Sequence, residues 1–316
     1  MPLSGMGRGL ASGATGLPAS GAIALAAGVH SAAMAHLPAT DHHLPDLRFV
    51  AVESLVTHER HDARRLQPLI ERFKREAVLK NPPIVAVLPG AGERFIVLDG
   101  ANRVAAAHEV GLPHLVVQVV DYRDPHVRLS TWSHALGEMP RWELEATLRK
   151  IDGLAVTEEP HLHARALLAR REALAFVAYA DGGTDTLQGG ADIAARNELL
   201  NRVVDTYRDR QRYFRVPTDD FDEANDRHPG ITALVVYPHF EPAEVVELAT
   251  SGSRLPAGIT RHLIRGRALR LDVPIERLAS GETLAAKNRW FADWLAEKLA
   301  NRRVRYYEEP TVSFDE

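Results

Sequence analysis

The stretch FIVLDGANRVAAAHEVGLPHLVVQVVDY, residues 95–122, decides the fold. Phe95 to Leu98 is an apolar run fit for an inside strand, and Val104, Ala107 and Val110 then recur at helical spacing. Asp99 and Gly100 form the corner between them. Gly111 and Pro113 stop the helix, and Leu115 to Val120 makes another strand. Asn102 and Arg103 therefore fall in the first helical turn, where free backbone N–H groups and the helix dipole favour an anion. Arg103 adds a fork of donors. A capped turn with a surface arginine is the plain reading of the same residues.

Working outward, LRFVAV (47–52) reads as a strand, ESLVTHERHD as turn and loop, and 63–78 as an amphipathic helix with Leu66, Leu69, Ile70 and Phe73 on one face. PPIVAVL, 82–88, is a further strand, and PGAGE before Arg94 a hairpin-like turn. Residues 138–215 read as mostly helical, interrupted by AFVAYADGGTDTLQGG, a strand pair with a Gly-rich turn. ITALVVYP, 231–238, is a buried strand, Pro242 to Thr250 a helix, and 281–300 an amphipathic helix carrying Phe291, Trp294, Leu295 and Leu299.

With 316 residues, 45% hydrophobic and 25% charged, the chain has the composition and length for two domains. Lys plus Arg number 38 against 42 Asp plus Glu, so the net charge of −4 gives no global basic field for nucleic acid. The absence of cysteine excludes disulfides, thiolate metal sites and cysteine-based chemistry. Residues 1–45, rich in Gly, Ala, Ser and Pro, are expected to be disordered. No run of ~20 uninterrupted apolar residues offers a membrane span. The fifteen histidines, His42-His43 and His161-x-His163 among them, lack the spacing of a catalytic zinc motif.

Five local groups carry possible chemistry: His58-Glu59, the 99–103 corner, Ser130-Thr131-Trp132-Ser133-His134, Thr260-Arg261-His262 with Arg265, Arg267 and Arg270 behind it, and the histidines. The tail arginines read as a solvated strand face.

The order LRFVAVESLVTHE, PPIVAVL, RFIVLDGANR, LSTWSH, with the tail LPAGITRHLIRGRALRLDVPIERL and KNRWFADWLAEKLANRRVRYYEE, resembles the free L-serine kinase branch of the ParB/sulfiredoxin-like superfamily over about residues 46–310. The resemblance implies an α+β fold: a ParB/sulfiredoxin-like nucleotide-binding and catalytic domain, 46–137, and a mixed α/β second lobe, 138–316, closing an interdomain cleft. It implies transfer of a phosphoryl group from ATP or ADP, with Mg²⁺, to the L-serine hydroxyl, giving O-phospho-L-serine in a cytoplasmic enzyme serving siderophore or other phosphoserine-consuming biosynthesis. Glu59 is then the base, with Asp99 beside it in catalysis. Gly100, Ala101, Asn102 and Arg103, with Thr260 and Arg261 from the second lobe, hold the nucleotide, and His58, Thr131, Trp132 and His134 the amino acid. No protein-only metal site is expected. Asn102 stands where the family pattern has histidine, so a role needing an imidazolium is in question.

Two relatives in the superfamily fit poorly. Sulfiredoxin chemistry needs a cysteine, and Gly92-Glu93-Arg94-Phe95 precedes a strand, unlike the nucleotide box of a ParB clamp. No helix-turn-helix with a basic face stands out in 138–215. The alternative to the kinase is a non-catalytic ParB-like transcriptional regulator, binding DNA or a small ligand.

Overall fold

The computed structural model describes residues 44–307 apart from positions 62, 91 and 211. The expectation for residues 1–45 falls almost wholly outside the described residues, as does the His42-His43 pair.

The deciding stretch forms β5 (Phe95–Asp99), a turn at Gly100, α2 (Ala101–Glu109) and β6 (His114–Val120). β5 shows no polar alternation because both its faces are covered. Phe95 and Val97 join Phe49, Val85, Ile70, Phe73 and Phe291 in one apolar core, while Ile96 and Leu98 join Ala86, Leu136 and Val235 in another. The sheet around it has the order β1-β6-β4-β5-β2, with β1 (Asp46–Ala51), β2 (Leu55–Thr57) and β4 (Ile84–Val87). β1 runs antiparallel to β6, and β2 parallel to β5. α1 (Ala63–Glu76) supplies Ile70 and Phe73 to the helix-covered face. The segment read as turn and loop after β1 thus contains a strand, three residues long and too short to show a period.

A second, six-stranded antiparallel sheet has the order β12-β8-β13-β10-β11-β9. Its strands are β8 (Ser133–Gly137), β9 (Ala155–Glu158), β10 (Ala175–Tyr179), β11 (Thr184–Gln188), β12 (Tyr213–Val216) and β13 (Ile231–Val236). Between them run α3 (Arg141–Leu148), α4 (His161–Ala169), α5 (Ile193–Asp205) and α6 (Phe221–Arg227), and α7 (Pro242–Thr250) follows β13. The 175–190 strand pair and the 231–238 strand are as expected. β9 and β12 were not: each is a four-residue edge strand, embedded in a stretch dominated by helices.

The last part of the chain packs back against the core of the first sheet through two small two-stranded sheets and two helices. β14 (Thr260–Ile264) pairs with β7 (Val127–Thr131), and β15 (Val273–Pro274) with β3 (Val78–Leu79). α8 (Ile275–Ala279) and α9 (Leu284–Ala300) follow, and Leu271, Val273, Leu278 and Phe291 pack in the core of the first sheet. A contiguous division at 137/138 is therefore not how the elements pack. β8 belongs to the second sheet, the tail strands form two separate two-stranded sheets while Leu271 to Phe291 pack into the first sheet's core, and the core containing Ile96 and Leu98 runs on into Leu136, Val177 and Val235.

α9 also closes the free edge of β1. Asn288 Oδ1 accepts from Phe49 N at 2.8 Å and Asn288 Nδ2 donates to Phe49 O at 3.1 Å, so the side chain stands in for a neighbouring strand. Asn288→Ala leaves both backbone groups without these partners and should lower stability by about 1–3 kcal/mol. Urea unfolding checks this: an unchanged midpoint with unchanged slope means water replaces the side chain at no cost.

Candidate active site

Glu59 lies just beyond β2, where the chain makes an isolated parallel bridge to Leu255. Leu255 N donates to His58 O at 2.8 Å and Arg60 N to Leu255 O at 2.9 Å, and Leu255 is fully buried. The chain then turns through Pro256, Ala257 and Gly258 into β14. There the Glu59 carboxylate collects its donors: Gly258 N on Oε2 at 2.9 Å, Thr260 N on Oε1 at 2.8 Å, and the Thr260 hydroxyl also on Oε1. A carboxylate offers about four acceptor positions. Three are taken, and the remaining one is on Oε2.

His58 faces the other way. Only 3% exposed, it donates from Nδ1 to Val97 O at 2.5 Å, and its Nε2 lies 2.8 Å from Thr260 Oγ1. Expected in the amino-acid pocket, it sits instead beneath Glu59, tying β5 to β14 through Thr260.

The run LSTWSH is two strands broken at Trp132. Trp132 N donates to Ile259 O at 2.8 Å, and Thr131 Oγ1 donates to Pro238 O at 3.1 Å. His134 is fully buried in the second sheet, its Nδ1 accepting from Tyr207 Oη at 2.7 Å and its Nε2 donating to Gly258 O at 3.1 Å. Both ring nitrogens are thus engaged by protein, and the residue braces the 256–260 turn from the side opposite Glu59. Strand alternation turns Thr260 and His262 inward and Arg261 to the other face of β14, where its guanidinium lies 4.4 Å from the Trp132 ring centre. Glu59 and Thr260 are brought together; Arg261 does not join them.

At the corner, Gly100 takes φ 93° as the N-cap of α2 and no side chain of the cap residue closes the helix, so the helix start with its dipole is turned toward an anion. A Cβ at 100 would lie 2.9 Å from Arg103 Nε and 3.1 Å from Pro83 Cα, so only glycine fits. Arg103 folds back, donating to Asp99 Oδ2 at 2.7 Å and to Asn81 O at 2.9 Å. Arg267 reaches the same Asp99 oxygen at 2.5 Å. Burial works against the Asp99 carboxylate, but the two guanidiniums outweigh it and hold its carboxyl below the usual range. Two cations on one anion leave net positive charge at the helix start. Arg267 was missed because the tail arginines read as a solvated strand face; it follows β14 in a loop, and no local pattern names its partner.

His262, also buried, has its ring 5.3 Å from His58 and its Nε2 2.8 Å from Tyr122 Oη. Burial pushes His262 down to about 3, the nearby His58 adding to it, and burial does the same to His134, also to about 3. In the pH range between those values and the unfolded ~6.5, the unfolded chain binds protons that the folded chain refuses. Stability therefore falls as pH drops below about 6.5, by up to about 1.4 kcal/mol per pH unit for each histidine. Urea unfolding between pH 7 and 5 should show this slope, and His134→Gln should remove about half of it. A flat profile would mean that these rings titrate normally in the folded chain.

No family model matches the chain. It is 25% identical over 261 residues to the ATP-dependent L-serine kinase SbnI of Staphylococcus aureus (strain NCTC 8325 / PS 47), covering 81% of this chain and 93% of that protein. An ATP-dependent L-serine kinase of Staphylothermus marinus is 36% identical over 87 residues, 28% of this chain and 34% of the relative. Among solved structures, a free serine kinase in complex with AMP superposes with a TM-score of 0.66 at 21% identity, over 76% of this chain and 98% of the other. SbnI with a C-terminal truncation gives 0.63 at 21% identity, over 80% and 97%. Among the described residues, no helix is long and apolar enough to cross a membrane. Over 81% of its length this chain is thus similar in sequence to one ATP-dependent L-serine kinase, and it shares the fold of the free serine kinase.

Proposed function

We propose that this protein is an ATP-dependent L-serine kinase forming O-phospho-L-serine. The observation that carries the reading is the likeness to SbnI over 93% of that protein's length, and the site's chemistry agrees with it. The serine hydroxyl meets the open position on Glu59 Oε2. Its oxygen attacks the γ-phosphorus, the new O–P bond forms as the bond to the β-phosphate oxygen breaks, and ADP leaves with the electron pair. The hydroxyl proton passes to Glu59. The start of α2, with Gly100 to Arg103 and the Arg267 charge, receives the phosphates.

Mg²⁺ belongs to this reading as an ion carried in on the nucleotide. Among the described residues no group of three or more carboxylates and histidines forms a cage. Both arginines hold Asp99 by Oδ2, so Oδ1 is the carboxylate oxygen that would hold the ion, a hard oxygen donor of the kind Mg²⁺ takes alongside substrate phosphates. When bound it neutralises phosphate charge. Thr131 and Trp132 border the amino-acid side. His58, His134 and Thr260 fix Glu59 and its loop, and Arg261 reaches the phosphates only if β14 or its neighbours rearrange on closure of a cleft. ATP and free serine meet in the cytoplasm, which is where this reading puts the enzyme.

The test is incubation with L-serine, ATP and Mg²⁺, following O-phospho-L-serine by phosphorus NMR. Glu59→Gln, which keeps one acceptor oxygen for the loop and replaces the other by an NH₂ donor, should lower kcat by about 10²–10⁴ while nucleotide binding by calorimetry stays nearly unchanged. No phosphoserine from the unmodified protein under any nucleotide rejects the kinase and leaves a ligand-binding regulator. Full turnover by the variant rejects Glu59 as the base.

A further inference from the structure

Gly258 has a third neighbour besides Glu59 and His134. The place where a side chain at 258 would stand is filled by the Arg215 guanidinium, whose Cζ, Nε and Nη2 all overlap the position of an ideal Cβ there. The residue has φ 76°, and only its lack of a side chain lets the arginine lie flat against it. Arg215 reaches this point because β12 pairs with β8 in the register Arg215↔His134. Directly paired residues share a sheet face. Tyr213, two positions earlier, confirms the face, its ring centre 4.5 Å from that of His134.

Arg215 is half-buried and, among the described residues, its guanidinium makes no hydrogen bond and has no carboxylate within 4.0 Å. Neighbouring cations are committed: Arg103 and Arg267 to Asp99, Arg60 to Asp205, and Arg261 to the Trp132 ring. A guanidinium partly removed from water with no anion beside it carries a desolvation cost that no charge among the described residues offsets. It lies one residue's width from Glu59, since both touch Gly258, yet the two charges do not pair. The gap suits a small molecule with a hydroxyl at one end and an anion at the other, and the planar fork of arginine matches a carboxylate.

We propose that Arg215 binds the α-carboxylate of the amino acid whose hydroxyl meets Glu59, making the site selective for an amino acid over the corresponding uncharged alcohol. This deepens the kinase reading and rests on it. The same fork would also accept a nucleotide phosphate, and the test separates the two anions.

Unmodified protein and Arg215→Met are assayed with L-serine and with L-serinamide, which keeps the hydroxyl and amine and lacks the carboxylate, at varied ATP. The unmodified enzyme should prefer L-serine by at least about 100-fold in kcat/KM. Arg215→Met should lose about that factor for L-serine, mainly through KM, while KM for ATP and the rate with L-serinamide stay within about threefold. Arg215→Lys should recover part of the loss. A rise in KM for ATP instead assigns the arginine to phosphate and overturns the proposal. Equal losses with both acceptors assign it a structural role and overturn it too, as does an unaffected variant of an active enzyme. Absence of phosphorylation of either acceptor by the unmodified protein is the separate outcome that removes the kinase reading itself.

Discussion

The site depends on one ionic capture: the Glu59 carboxylate taking the backbone N–H groups of Gly258 and Thr260, residues 199 and 201 positions away. Closing so long a loop has an entropic cost that one contact cannot offset. The capture is accordingly reinforced by the Glu59–Leu255 bridge and by β14 pairing with β7. In return, the Glu59 carboxylate is held by donors on three of its lone pairs, which fixes where the fourth points.

The turn at 256–260 is where the two sheets act on each other. Glu59 holds it from the first sheet, His134 from the second, and Trp132, at the break between β7 and β8, through the Ile259 carbonyl. His134 does this as a neutral ring with Nε2 protonated, because Gly258 O needs a donor and Nδ1 accepts the hydrogen bond from the Tyr207 hydroxyl. Burial that holds His134 down to about 3 thus keeps the brace intact near neutrality. The anion corner is organised differently, by charge. Asp99 gathers Arg103 and Arg267 on a single oxygen, so that a helix start that already favours anions gains net positive charge as well.

Much of this was legible beforehand. The corner at Asp99-Gly100 was readable because a strand, a glycine and a helix of 3.6-residue period follow one another within fifteen residues, and each leaves its mark on its own neighbours. Glu59 was singled out by resemblance; its loop position alone says only that it is charged. The two edge strands β9 and β12 were not legible, each being four residues, no more than two periods of strand alternation. Nor were the roles of His58 and His134, polar residues that looked available to a ligand and proved to be buried and fully engaged.

The sequence by itself determined the strand–turn–helix unit, the buried strands at 95–99 and 231–236, the helix at 242–250 and the exclusion of cysteine chemistry, because periodicity and composition act through near neighbours. Only the tertiary structure decided which partner each polar group meets: Gly258 and Thr260 for Glu59, Arg267 for Asp99, Gly258 for His134 and Arg215. Backbone donors are identical at every residue, so no side-chain pattern announces which of them a distant carboxylate will find. That choice is made when the tail folds back and the geometry of β7 and β14 sets which N–H groups face the acid.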